Sequence, residues 1–205
     1  MKRQLIILIL ASVIVIGALG LPSRGEDSVV LSEYDVATFA GGCFWCMEAA
    51  FEAVDGVAES ISGYSGGTEV NPTYEDVSRG RTGHLEAVQV YYDPGVVSYE
   101  ELLDVYWMNI DPTDDGGQFV DRGTQYETAV FYHDEAQRVS AETSKVELDM
   151  SGRFEAPVVT RVLEFTAFYE AEEYHQDYYK KRVLNYEIYS RASGREEFIE
   201  ENWGK

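Results

Sequence analysis

The sequence predicts a single α/β domain of two layers, helices laid over a mixed β-sheet, and three observations predict it. About 180 residues remain behind an apolar leader, which is one domain's worth. Strand-like and helix-like runs alternate along that length. Gly, Pro, Asn and Asp punctuate the junctions, and no internal repeat or low-complexity tract interrupts them.

Residues 1–21 are kept out of the fold. Lys2 and Arg3 precede an uncharged apolar run over residues 5–21, longer than a usual signal-peptide core and at the lower limit for a membrane span. Signal peptide and membrane anchor both stand, with a core helix of a cytoplasmic protein as the weaker alternative. The first two place the domain outside the cytoplasm, secreted or anchored, because positive charge stays on the cytoplasmic side. Residues 22–34 form a polar linker, and the domain occupies residues 35–205.

Residues 36–40 read as a short buried strand and 43–54 as an apolar helix stopped at Asp55-Gly56. A second strand spans 57–64, closed by glycines, and Asn71-Pro72 opens a turn with one helical turn behind it. The alternation over 84–92 is a strand ending at Asp93-Pro94. Ser98 with Glu101 is a capping box that starts a helix over 99–109. A glycine-rich loop over 111–125 is long enough to be functional. The strand over 128–133 is followed by a helix capped by Asp134 and running to Met150. A strand over 157–165, a helix over 168–182 and a polar, irregular tail complete the chain.

A net charge of −21 and a pI near 4.3 exclude nucleic acid and anionic membrane surfaces as partners. The two cysteines are the informative residues. Cys43 and Cys46 lie in Gly41-Gly42-Cys43-Phe44-Trp45-Cys46, where a strand passes into a helix. At a helix N-terminus, free amide N–H groups and the positive end of the dipole lower a thiol pKa, so Cys43 is expected to be a nucleophile. Other uses stay open: two inert core thiols, half of a zinc site, or a thioredoxin-like dithiol with a cis Pro157 beside it. Glu86 lies among Leu85, Ala87, Val88 and Val90, so burial would raise its pKa and keep it protonated, unless that strand turns it to solvent. Tyr74 and Tyr126 sit in glycine-flanked loops that can aim hydroxyls at a common pocket, with Asp121 placed to orient one of them or a water.

Gly42-Cys43-Phe44-Trp45, Gly63-Tyr64-Ser65-Gly66-Gly67, Asn71-Pro72-Thr73-Tyr74, Gly83-His84-Leu85-Glu86, Gly123-Thr124-Gln125-Tyr126 and Glu173-Tyr174-His175-Gln176 follow one another in the order and spacing of the A-type peptide methionine sulfoxide reductases, and residues 37–179 resemble that family throughout. The resemblance implies a two-layer sandwich with a ferredoxin-like core and a mixed sheet. It implies reduction of the S epimer of methionine sulfoxide, free or in proteins, with no bound cofactor and no metal. A thioredoxin-like dithiol would be the external reductant, and a monomer is expected. Cys43 matches the family's nucleophile and Glu86 its acid. Tyr74 and Tyr126 match the phenols on the sulfoxide oxygen, and Asp121 the acid acting through water. Phe44 and Trp45 match the wall that receives the substrate methyl, and His175 a histidine beside the pocket.

Three departures matter. Glu127-Thr128 stands where the family has Arg-Ser, the tail carries no cysteine, and Cys46 replaces a frequent glycine. Recycling is therefore assigned to Cys46, which condenses with a Cys43 sulfenic acid to a disulfide. The alternative function is a membrane-tethered thiol-disulfide oxidoreductase using the same cysteine pair.

Overall fold

The computed structural model describes residues 30–204; the leader assignment, and the linker up to residue 29, lie outside the described residues. After a 3-10 turn at Leu31–Glu33, the chain runs β1 (Asp35–Gly41), α1 (Phe44–Glu52), β2 (Val57–Ser65), α2 (Tyr74–Ser78), β3 (Leu85–Tyr92) and α3 (Tyr99–Met108). A small hairpin follows, β4 (Gly117–Gln118) with β5 (Asp121–Arg122), then a 3-10 turn at Thr124–Tyr126. The remainder is β6 (Thr128–Tyr132), α4 (Glu135–Met150), β7 (Arg161–Glu164), β8 (Phe168–Glu170), α5 (Tyr178–Lys181), α6 (Val183–Ser193) and α7 (Arg195–Trp203). Among the described residues, no helix is long and apolar enough to cross a membrane.

The main sheet has the order β7-β6-β1-β3-β2-β8. Its four central strands are antiparallel, and β6, β1, β3 and β2 with α1 and α3 make the βαββαβ core of a ferredoxin-like sandwich. β7 adds in parallel to β6 across the long helix α4, which makes the sheet mixed.

One face of the sheet is covered by α1 and α3. Phe39 of β1 stacks on Phe51 at 4.9 Å and on Tyr106 at 5.1 Å, within a core that includes Met47, Leu102, Leu103 and Ile110. The Tyr106 hydroxyl, fully enclosed there, donates to the Ala40 carbonyl at 2.9 Å. The capping box at the start of α3 is present in full, with Ser98 and Glu101 each satisfying the other's backbone N–H.

Three sequence expectations are corrected. The strand expected over 157–165 is only Arg161–Glu164, and the bond before Pro157 is trans, so the arrangement expected of a thioredoxin-like dithiol is not met. The helix expected over 168–182 begins as β8, with Tyr169 opposite Tyr64 and Glu170 opposite Gly63. Gly63 leaves the room for it, since a Cβ there would lie 2.3 Å from the Phe168 ring. The Gln176 side chain then bonds both backbone groups of Ser62, at 2.9 and 2.8 Å, and finishes that edge.

The tail read as irregular is two helices. In α6 it is Leu184 and Ile188 that face solvent, whereas Ser190 and Ser193 are buried, followed by Arg195 at the start of α7. The usual apolar stripe is inverted, so no helical periodicity marks the segment.

Candidate active site

β1 delivers the chain to Gly42, whose φ of +79° a residue with a side chain rarely adopts, and a Cβ there would sit 2.6 Å from Gln118. The turn places Cys43 as the N-cap of α1, with its carbonyl accepting from Cys46 N–H at 3.2 Å and its side chain making no cap hydrogen bond. Cys43 therefore lies just outside the helix. That relieves the geometric obstacle to a bridge across three residues, because Cβ atoms spaced so within a helix are roughly 5–6 Å apart and a disulfide needs about 3.5–4.5 Å. Both cysteines are free thiols, 5 % and 4 % exposed.

A cavity of about 70 Å³ opens over Cys43, lined by Phe44, Trp45, Tyr74, Glu86, Asp121, Tyr126 and Tyr189. Larger hollows exist, including one of about 320 Å³ beside Tyr99 and His133, but they hold neither cysteine. Among the described residues, no three His, Cys, Asp or Glu side chains are arranged to hold a metal ion.

Each wall has a structural cause. Glu86, on the central strand β3 and opposite Tyr64, is 2 % exposed and accepts the Phe44 N–H at 3.1 Å. Burial raises its pKa to about 8, helped by the nearby Asp121 and Cys46 charges and opposed by the Phe44 N–H. Tyr74 opens α2, with its N–H on Glu172 at 2.9 Å. The Gln125 amide donates to the Ser78 carbonyl at 3.0 Å and ties the turn bearing Tyr126 to the end of α2. Burial raises both phenols, Tyr74 to about 12, so both remain hydrogen-bond donors at neutral pH. Asp121, on the β4-β5 hairpin, accepts from the Tyr189 hydroxyl of α6, and burial raises its pKa.

The cysteines depart from expectation. Burial pushes the Cys43 thiol well above its ordinary value, and its S–H donates to Cys46, which this bond lowers to about 7 with help from the Arg195 charge. Of the two thiols, Cys46 is therefore the more readily ionised in the resting pair. A helix terminus is worth about 0.3–1 kcal/mol, under one pK unit, while full burial can shift a pKa by about 3–5 units. Here the terminus is partly spent, because the first N–H of α1 is already bonded to Glu86.

His175 is 2 % exposed and lies behind the wall rather than in the cavity lining. Its Nδ1 accepts from the Trp45 indole at 3.1 Å, and its ring sits 5.0 Å from Phe44 and 4.3 Å from Tyr74. Burial lowers its pKa. A substrate contact was expected of it; its position fits orienting Trp45, which also stacks on Tyr178 at 3.9 Å. Glu127, the departure from the Arg-Ser pattern, pairs with Arg161 at 2.9 Å on an open part of the surface.

Sequence reasoning missed three residues that α6 and α7 bring to the site. Tyr189 lines the cavity and Tyr186 bonds Cys46, while Arg195 lies against the cysteine loop. The only signal was the spacing of Tyr186 and Tyr189, without an apolar stripe to place them on a helix.

A buried dithiol at a strand-helix junction, faced by a protonated carboxylic acid, two phenols and an aromatic wall, defines a thiol-based oxidoreductase whose substrate carries a polar atom beside a small apolar group. The peptide methionine sulfoxide reductase family model matches residues 35–205. A peptide methionine sulfoxide reductase MsrA of Listeria innocua is 57 % identical over 167 residues, covering 82 % of this chain and 94 % of that protein. Reduced Mxr1 from Saccharomyces cerevisiae superposes with a TM-score of 0.68 at 32 % identity, covering 73 % of this chain and 86 % of that one. Methionine sulfoxide reductase A of Corynebacterium diphtheriae gives 0.66 at 31 %, covering 73 % and 76 %. The chain belongs to the peptide methionine sulfoxide reductase family and is an oxidoreductase.

Proposed function

We propose that this enzyme repairs methionine sulfoxide of the S configuration, free or in proteins, with Cys43 as nucleophile and Cys46 as the thiol that resolves it. The observation that carries the reading is the small cavity where the Cys43 sulfur, the Glu86 carboxyl, the Tyr74 and Tyr126 hydroxyls and the Phe44-Trp45 wall meet. A sulfoxide presents a soft electrophilic sulfur, a polar oxygen and a methyl group, and each finds a partner there.

Cys46 takes the Cys43 proton along the bond between them as the Cys43 sulfur attacks the sulfoxide sulfur. Glu86 supplies a proton to the sulfoxide oxygen, with Tyr74 and Tyr126 as further donors, and Asp121 supports the site through water. The oxygen passes to Cys43 as its bond to the substrate sulfur breaks, so methionine leaves and Cys43 becomes a sulfenic acid. Cys46 returns the proton it took to the Glu86 carboxylate and forms an S–S bond with Cys43, and the hydroxyl departs as water with that proton from Glu86. The chain has no further cysteine, so an external dithiol, a thioredoxin-like protein, must reduce this disulfide. Action as a monomer is part of this proposal. A thiol-disulfide oxidoreductase is not favoured, because that chemistry has no use for a protonated Glu86 or the two phenols.

A pocket that fixes both methyl and oxygen accepts one configuration, since the other leaves buried donors unpaired. Single turnover of the reduced protein on separated epimers of a methionine sulfoxide peptide therefore releases methionine from S and not from R. Comparable release from R overturns the reading.

We further infer, from Lys2, Arg3 and the apolar run behind them, that the domain works outside the cytoplasm, on envelope or secreted proteins. A membrane-impermeant thiol reagent, applied to intact cells after reduction and denaturation at the surface, should label the cysteines. Labelling that requires lysis places the domain inside.

A further inference from the structure

We propose that Arg195 is the positioning residue for the second half of the reaction: its buried guanidinium, bonded to the Gly41 carbonyl before Cys43 and to the Met47 sulfur after Cys46, is the counter-charge that holds Cys46 ready to attack oxidised Cys43. This rests on the reading of Cys46 as the resolving thiol.

Arg195 is 4 % exposed. Gly194, with φ +89°, breaks α6 from α7 and turns the next side chain inward. One guanidinium nitrogen bonds the Gly41 carbonyl at 3.0 Å and lies 3.3 Å from where a Cβ on Gly42 would stand. The other bonds the Asn109 carbonyl and reaches the Met47 sulfur at 3.2 Å. These contacts grip the residues just before Cys43 and just after Cys46. Among the described residues, no carboxylate forms an ion pair with Arg195, and its Nε has no partner. Phe119 covers its outer face, with the guanidinium carbon 4.9 Å from the ring centre.

A buried cation without a paired anion is costly; Asp121 feels its charge but forms no ion pair with it, which leaves Cys46 as the other neighbour able to become an anion. The titratable groups facing Cys46 are Cys43 and Arg195, Tyr186 and Tyr189 of α6, Asp121 of the hairpin and Glu86 of β3. The strongest influence lowering Cys46 is the Cys43 S–H. Once Cys43 is a sulfenic acid that S–H no longer exists, and Arg195 and the Tyr186 hydroxyl remain to favour the Cys46 thiolate against burial and Asp121. Arg195 thus matters most in the state that must be resolved. In that step the Cys46 thiolate forms the S–S bond, the Cys43 S–O bond breaks, and the oxygen leaves as water after taking a proton; no outside oxidant or reductant is required.

The test is a rapid-quench single turnover of wild type, Arg195→Met and Arg195→Lys with an S-sulfoxide peptide across pH 5.5–9.5, scoring methionine and the Cys43-Cys46 disulfide separately by mass spectrometry. Loss of a neighbouring positive charge raises a thiol pKa by about one unit or more. A more basic thiolate is also the better nucleophile, with a Brønsted slope of about 0.4–0.5, so the net loss below neutrality is only about three- to fourfold. Arg195→Met should therefore release methionine, form the disulfide about threefold more slowly at pH 6, and match or exceed wild type above its shifted midpoint. Arg195→Lys should restore the wild-type midpoint. A merely structural arginine predicts uniform slowing at every pH, and that result, or a Met variant indistinguishable from wild type, overturns the proposal. If the Met variant does not fold, the wild-type and Lys profiles decide: midpoints below about 8.5, the ordinary thiol value, support it, and midpoints at or above that value overturn it. A wild type that releases methionine yet never forms the disulfide at any pH removes the resolving role of Cys46 itself, a separate failure.

Discussion

Cys43→Ser should release no methionine, while Cys46→Ser releases about one per enzyme and then stalls with a dithiol reductant. The hydroxyl of a serine is not ionised near neutrality and is a poor nucleophile toward sulfur, so the first variant has nothing to attack with. The second keeps the attacking thiol. Its first turnover is slower, because a serine hydroxyl in place of the Cys46 sulfur is a weak acceptor for the proton that Cys43 gives up in the wild type. The product differs as well. Mass spectrometry after one turnover should find the wild type lighter by the two hydrogens of a disulfide, and Cys46→Ser heavier by one oxygen or carrying a trapped adduct. A wild type that accumulates stable sulfenic acid removes Cys46 from the mechanism.

Replacing Glu86 is expected to slow methionine release on the order of a hundred- to ten-thousand-fold, the usual cost of losing one positioned acid or oxyanion donor. Glu86→Gln keeps a donor but has no proton to give, so it should be slowed less than Glu86→Ala. With the Glu86 pKa at about 8, the wild-type rate of the first step should fall as pH rises through that value, and the Gln variant should lack this limb. Stability falls in the same direction. A carboxyl raised from 4.5 to about 8 by burial favours the folded state fully below its unfolded pKa, and that contribution is lost as pH rises through the folded value. Holding Glu86 neutral at pH 7 therefore costs about 3 kcal/mol, at 1.36 kcal/mol per pH unit above 4.5. Glu86→Gln should melt higher than wild type at pH 8 and no higher at pH 4. Variants that reduce sulfoxide at the wild-type rate would leave Glu86 only a strand residue.

Much of the domain was legible because local pattern and tertiary structure agree there. The apolar run into Gly41-Gly42 is β1, the Ser98-Glu101 pair caps α3, and Asp134 caps α4 through the Gln137 N–H at 2.9 Å. Cys43, Glu86, Tyr74, Tyr126, Asp121, Phe44 and Trp45 all line one cavity, and Cys46 stands directly behind Cys43. Alternation alone does not settle whether Glu86 is buried, because a central strand covered on both faces can hide neighbouring side chains on both, as β3 does over residues 85–88. The structure decides it, with helices over one face of the sheet and Leu85, Ala87, Ala129 and Phe131 under Phe165 and Phe168 on the other.

By itself the sequence determined what depends on neighbours along the chain: the strand-helix junction that carries the cysteines, the helix caps, the alternating strands, and the set of motifs that names the chemistry. Only the tertiary structure decided what depends on distant partners. Whether residues 168–170 are strand or helix is set by an edge of β2 with room at Gly63. Which cysteine ionises more readily is set by the bond from Cys43 to Cys46, by burial around Cys43 and by an arginine 149 positions after Cys46 in the sequence. Helix α6 and the start of α7 bury serines and that arginine instead of an apolar stripe, because what they pack against there is a polar, charged site rather than a hydrophobic core.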